Sequence, residues 1–360
     1  MNISTAIPVS TPAAARRRPM TQKIVTLAHG GGGSAMRDLI DDVFLSAFSG
    51  AGRAAPEDQA RFDLAALMAR GDRLAFTTDG FVVDPLFFPG GDIGKLAVCG
   101  TVNDLAVGGA TPVALSCAII IEEGLEVDTL RRVVHSMAET AHAAGVDIAT
   151  GDTKVVARGA CDKLFITTTG IGVVRTGAAI GIGRARPGDV VLVNGLMGDH
   201  GAAILDARGD LALESTIESD CAPLHDLVGA LLDAAPGTCS LRDATRGGVA
   251  AVLNELAEAS GVGVRLRELD LPVRPEVVGF CEILGLDPLY LANEGKLVAV
   301  VPPDEAEAAL AALRAHPLGL EARNIGRVVE TRPGRVVMET RFGGERIVDM
   351  LVGDQLPRIC

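Results

Sequence analysis

Four acidic positions stand where a carboxylate is costly unless something uses it: Asp79, the pair Asn103-Asp104, Asp152 and Asp243. Each falls in a turn or on an otherwise apolar face, where an acid has to be paired or to bind a metal. Hard oxygen donors of this kind suit Mg2+ bridging the phosphates of a nucleotide, which would explain all four together. Taken singly, each reads as readily as a helix cap, a turn aspartate or a surface charge. Two glycine-rich stretches offer unhindered main-chain amides. His29-Gly30-Gly31-Gly32-Gly33-Ser34 precedes a predicted helix over 35–42, and reads either as a cradle for an anion or as a linker. Arg242-Asp243-Ala244-Thr245-Arg246-Gly247-Gly248 opens another predicted helix, and either holds phosphate or allows close packing. Neither standard nucleotide loop is present: residues 90–96 lack the Walker spacing, and residues 170–175 lack the third glycine of a dinucleotide loop. A nucleotide site has to be built another way here.

Three further residues carry reactive groups. Lys154 follows Asp152 closely, and Glu294 lies in the polar turn Asn293-Glu294-Gly295-Lys296. Either reads as surface charge; a lysine would also neutralise a transferring phosphoryl group, and a carboxylate beside a reacting amide would remove a proton. Cys360 is the last residue, so it cannot be a prenylation site, which needs cysteine fourth from the end. Its own α-carboxylate raises the thiol pKa, so it is not self-activated. His200, in Gly198-Asp199-His200-Gly201, reads as a packing or capping histidine.

The elements that must position these groups alternate between α and β. A strand over 74–83 presents Asp79 near its end, and a helix over 93–107 places Asp104 in line with Ile93, Leu96, Ala97 and Gly100. A continuous apolar strand over 112–121 follows, then a helix from Asp128 closed by Gly145. Strands are predicted over 146–150 and 164–174, with Gly151-Asp152-Thr153-Lys154 in the turn after the first. The glycine- and arginine-rich stretch 177–186 marks a boundary near residue 180. The second half opens on the apolar run 190–193 and carries strands at 297–301 and 335–339, with helices from about Gly247 and over 304–315. The expected organisation is a disordered extension over 1–21, an N-terminal domain over 22–180, a C-terminal α/β domain over 181–346 and a mobile tail over 347–360.

Composition narrows the function. Of 360 residues, 48% are hydrophobic and 22% charged, with no apolar run long enough to span a bilayer, so neither a membrane protein nor a membrane partner is expected. The net charge of -13 disfavours nucleic acid and anionic lipid, and the absence of Trp removes the usual base-stacking platforms. Seven cysteines without a C-x-x-C pair argue against a zinc site or disulfide framework and for the cytoplasm.

The residues Thr77-Thr78-Asp79-Gly80-Phe81-Val82-Val83-Asp84-Pro85, continuing to Ala97, resemble the HypE family of hydrogenase-maturation proteins. Gly100 to Ala106, His29 to Ser34, Gly151 to Val156, Gly198 to Gly201 and Asn293 to Gly295 fit the same family in the same order, from about residue 22 to the end. The terminal Pro357-Arg358-Ile359-Cys360 discriminates most, because aminoimidazole ribonucleotide synthetase, selenophosphate synthetase and thiamine-phosphate kinase share the scattered acids without it. The resemblance implies an α/β (α+β) two-domain fold like that of aminoimidazole ribonucleotide synthetase, a homodimer joined through the N-terminal domains, and ATP bound near that interface. It implies Asp79, Asp104 and Asp152 as Mg2+ or phosphate ligands, Asn103 and Asp243 in support, Gly30, Gly31, Gly32 and Gly33 over the phosphates, and Lys154 with Glu294 at the reacting centre. It further implies that a HypF partner loads a carbamoyl group onto Cys360, that ATP drives its dehydration to a thiocyanate, and that the nitrile passes to iron on a HypC–HypD scaffold to supply the cyanide ligands of a NiFe hydrogenase. Gly80 departs from the serine expected there, and the N-terminal extension has no counterpart. A sister enzyme making an acyl or seleno phosphate would leave Cys360 unexplained, and a non-enzymatic carrier would leave the acids unexplained.

Overall fold

A computed structural model describes residues 20–48, 57–209, 216–351, 353 and 358–360. The expected disordered extension lies outside them up to residue 19, as do tail residues 352 and 354–357.

The first domain is a four-stranded sheet built from β1 (Arg73–Phe81), β2 (Ala110–Glu122), β3 (Asp147–Val156) and β4 (Leu164–Val174), in the order β1-β4-β2-β3. The β2–β3 pair is parallel and the others are antiparallel. β3 overruns the expected end at residue 150. Its ladder with β2 continues through Ala118↔Asp152 and Ile120↔Lys154, so Gly151 to Lys154 are strand residues and not a turn. Alternation then decides which side chains face out. Thr153 is buried, while Asp152 and Lys154 stand on the open face of the sheet.

The other face is covered by α1 (Ile93–Val107) and α2 (Val127–Ala143). α2 is amphipathic, with Leu130, Val133, Val134, Met137 and Ala141 buried, and it ends at Gly145 in the left-handed conformation. α1 starts on a buried Asp92 cap, whose Oδ1 accepts from the Gly94 and Lys95 amides at 2.7 and 3.2 Å. It is apolar nearly all round: every residue but Lys95 and Asp104 is buried. Such a helix has to be enclosed on all sides. One side packs on the first sheet and α2, while its end, Ala106 and Val107, enters the core of the second domain.

That second domain is a seven-stranded sheet of β5 (Val190–Val193), β6 (Ser240–Asp243), β7 (Gly263–Arg267), β8 (Leu297–Val301), β9 (Arg323–Val329), β10 (Val336–Glu339) and β11 (Glu345–Val348). Its order is β11-β10-β7-β9-β5-β8-β6. All five residues of β8 are buried, which requires cover on both faces. Val298 and Val300 meet α5 (Gly248–Ser260), and Leu297, Ala299 and Val301 meet α4 (His225–Ala234) and α7 (Ala306–Ala315). α3 (Asp199–Ala207) and α6 (Pro275–Leu284) pack together at the side. β11 pairs with β10 through Val348, at the start of the stretch expected to be the tail.

Candidate functional site

The cleft between the domains gathers acids from five segments. Asp79 comes from the end of β1, Asp104 from α1, Asp243 from the end of β6, Asp220 from the segment before α4 and Glu294 from the turn before β8. Asp79 lies on the helix side of its strand, where Gly100 makes room: a Cβ there would sit 2.8 Å from the Phe81 ring and 3.7 Å from Asp79 Oδ2. Asp104 Oδ2 accepts from Thr77 Oγ1 at 2.7 Å.

Crowding shows in the proton affinities. Burial, then the neighbouring Asp104, raises the Asp79 carboxyl, against the pull of its hydrogen bond from Gly80 N–H. Burial with Asp104 and Asp79 pushes Asp243 to about 7. Burial, Asp220, Asp243 and Asp79 hold Glu294 well above the carboxylate range. Asp220 goes the other way: burial is outweighed by Lys296, 3.0 Å from its Oδ2, and by the Glu294 amide on its Oδ1 at 3.0 Å. The Gly295 amide gives it a third bond at 3.1 Å. The turn carrying Glu294 is thus pinned from below by a buried ion pair.

The chain end closes the cleft. Ile359 is buried at 4% exposure in the first domain's core, and the Cys360 thiol lies against the Glu294 carboxyl. Burial and Glu294 raise that thiol far above its ordinary pKa, although Arg246 pulls the other way. Glu294 Oε1 is buried with no hydrogen-bond partner. This is the opening one expects where a ligand's N–H or a cation is to sit. Among the described residues no three Cys, His, Asp or Glu side chains converge into a ready metal cage. The acids do suit Mg2+, which takes one or two carboxylates and completes its shell with phosphate and water.

The sequence-derived residues divide into two groups. Asp79, Asp104, Asp243, Glu294 and Cys360 meet in this cleft. Asp152 and Lys154 do not: they pair with each other at 2.7 Å on the open face of the first sheet, and Lys154 keeps the Asp152 carboxyl low. The ladder from Gly80 through Thr167 and Ala118 to Asp152 spans three strand spacings, roughly 14 Å. Gly30 packs against Val155 on the same strand, a Cβ there meeting Val155 at 3.1 Å, so the glycine run lies with Asp152 and Lys154. Gly32 and Gly33 border open space.

Asn103 acts from behind the acids. Its Nδ2 donates to the Ala222 and Glu294 carbonyls at 3.1 and 3.3 Å, and its Oδ1 accepts from Leu224 N–H at 2.7 Å. Both donors are spent on main chain, so Asn103 staples the domains and steadies the turn that carries Glu294. Gly248, at φ +61, serves packing: a Cβ there would lie 2.5 Å from the Leu289 carbonyl oxygen. Gly80 has room for the serine expected there, with only Thr167 Oγ1 at 3.9 Å.

Sequence reasoning missed Asp220, the pairing role of Lys296, and the thiols Cys99 and Cys221, which meet beside Glu294. Ser219-Asp220-Cys221 stands in a stretch with no periodic pattern, so only tertiary contact gives it meaning. A surface hollow of about 430 Å3, lined among others by Leu86, Glu123, Arg158 and Lys163, contains none of the acids and is not the site.

Comparison with known proteins agrees with this architecture. Residues 57–174 match the N-terminal domain of the AIR synthase related proteins, and residues 186–339 match their C-terminal domain. The carbamoyl dehydratase HypE of Rhodobacter capsulatus is 64% identical over 336 residues, covering 93% of this chain and 98% of that protein. A crystal structure of the hydrogenase maturation protein HypE in complex with ATP superposes with a TM-score of 0.87 at 50% identity, covering 93% of this chain and 99% of that one. A HypE–HypF complex gives 0.76 at 46% identity, covering 89% and 100%.

Proposed function

Because the chain belongs to the HypE family of ATP-dependent carbamoyl dehydratases, with the AIR synthase related fold, we propose that it converts a carbamoyl group on its own Cys360 into a thiocyanate. One observation carries the reading: the terminal thiol rests against Glu294 inside an acid-lined cleft. A thiol held protonated there is a poor nucleophile. Loading therefore belongs to the withdrawn tail and dehydration to the docked one.

The chemistry follows from the groups present. The carbamoyl oxygen attacks the γ-phosphorus of ATP, ADP leaves, and the amide carbon then bears phosphate as its leaving group. Loss of the two N–H protons and departure of phosphate leave S–C≡N. Glu294, beside the docked sulfur with one carboxyl oxygen unpartnered, takes a proton from nitrogen. Asp79 and Asp104, with Asp243 behind them, would hold Mg2+, which neutralises charge on the transferring phosphoryl group. Arg246 is the cation that Cys360 and Asp79 both feel.

Lys154, Asp152 and the glycine run enter through a second copy of the chain. The open face of the first sheet exposes Phe76 at 72%, Leu74 at 62% and Ile120 at 39%, which is apolar surface for a homodimer. Pairing across it would bring Lys154 and Asp152 towards bound ATP. HypF is the carbamoyl donor, as the complex of a 46% identical chain supports, and a HypC–HypD scaffold with its iron receives the nitrile for a NiFe hydrogenase. Among the described residues no helix is long and apolar enough to cross a membrane, and we place the reaction in the reducing cytoplasm.

Intact-protein mass spectrometry after incubation with HypF, carbamoyl phosphate and ATP tests this. The wild type gains one carbamoyl group and then loses one water. Cys360→Ala gains nothing, and Asp104→Ala keeps the carbamoyl group without losing water. Loading of Cys360→Ala would refute the assignment.

A further inference from the structure

The docked chain end is gripped in a particular way. Each of the last three residues presents a main-chain oxygen to a donor. The Arg358 carbonyl accepts from Asp84 N–H at 3.3 Å and from Arg208 Nη2 at 2.9 Å. The Ile359 carbonyl lies 2.8 Å from His200 Nε2, and Cys360 O accepts from Val82 N–H at 3.2 Å. Val82 and Asp84 belong to the first domain, His200 and Arg208 to the second, so the end is held across their junction. The Arg358 guanidinium adds ion pairs to Asp84 and Asp162.

His200 is the most constrained of these donors. It is fully buried at the start of α3, edge-on to Phe88 with ring centres 5.5 Å apart. A carbonyl can only accept, so Nε2 carries the hydrogen. Nδ1, 2.8 Å from Ser219 Oγ, then accepts from that hydroxyl, which in turn accepts from Cys221 N–H at 3.1 Å. Ser219 therefore fixes the tautomer that faces the tail. Burial keeps the ring neutral.

We propose that His200, oriented by Ser219 and joined by Arg208, is the positioning residue that clasps the carrier tail by its main chain and sets the Cys360 sulfur against Glu294. None of these bonds uses the sulfur. The clasp is therefore indifferent to whether the thiol is free, carbamoylated or cyanated, and holds the cargo in one place through both halves of the dehydration. The proposal rests on the carrier reading above, and its test separates the two.

The variants are His200→Phe, which keeps a ring without a donor, His200→Gln, which restores an N–H, and Arg208→Ala. Two quantities are read on the full-length protein: the rate at which iodoacetamide alkylates Cys360, and single-turnover loss of water after loading by HypF with carbamoyl phosphate. Removing one donor should raise the alkylation rate about tenfold and slow dehydration about tenfold, with loading unchanged, because a buried hydrogen bond carries about that factor. His200→Gln should recover most of both. Wild-type rates in His200→Phe would overturn the clasp, as would the failure of His200→Gln to recover beside a folded His200→Phe. If His200→Phe does not fold, Arg208→Ala decides by the same two rates. A wild type that loads and never loses water would refute the dehydratase reading and leave the alkylation comparison standing.

Discussion

Asp243→Asn should make the ligand-free protein more stable, with a gain at pH 8 well over twice that at pH 5. The Asp243 carboxyl is lifted from 3.8 to about 7 by burial and by Asp104 and Asp79. Between those values the folded protein keeps a proton that the unfolded chain has released. Stability from this group therefore falls as pH rises through the window and is fully lost above about 7. The shift corresponds to about 4 kcal/mol at 1.36 kcal/mol per pH unit. Water reaching the half-buried residue makes that a ceiling. Asparagine keeps the shape of the protonated acid and cannot ionise, so it removes the penalty. Urea unfolding in EDTA at the two pH values, for both proteins, gives the comparison. Mg2+ with ATP should restore stability to the wild type at pH 8 and do little for the variant. An Asn-to-Asp difference that is the same at pH 5 and pH 8 would refute the argument that repulsion in a desolvated acid cluster is stored in this fold.

The other predictions concern the supports of the site. Asp220→Ala strands Lys296 as an unpaired buried cation and should cost about 3–5 kcal/mol, visible as a lower urea midpoint. Glu294→Gln should load carbamoyl normally and stall before water is lost, read by intact mass. Phe76→Asp on the exposed sheet face should shift sedimentation velocity from dimer to monomer and slow dehydration more than loading. Gly80→Ser should fold well and stabilise the protein by about 0.4–1 kcal/mol, because the strand position leaves room for a Cβ and the unfolded chain loses freedom.

Much of the fold is legible because burial wrote it into local patterns. α1 runs over 93–107 and β8 over 297–301 as the apolar spacing predicts, and the apolar run Val190–Val193 is a strand. The second half of β3 is hidden because Gly151 looks like punctuation, whereas pairing with β2 carries the strand through it. The acids were visible as misfits in turns or on apolar faces, and three of them, Asp79, Asp104 and Asp243, meet with Glu294 and Cys360. What sequence could not supply is which misfits share a space. Asp152 and Lys154 look like partners of Asp79 and face away from it, Asn103 reads as a support without showing that its partners are main chain, and Asp220 and His200 look ordinary until Glu294 and Ile359 lie beside them.

α1 has a mechanical consequence. Because it is buried on every side and its end lies in the second domain's core, the halves cannot rotate apart without exposing the helix that builds both. Asn103, on the same helix, adds the main chain of residues 222, 224 and 294 to the weld. Many enzymes shut a jaw over a substrate that diffuses in. Here the jaw is a fixed vice, and what it grips is the end of its own chain.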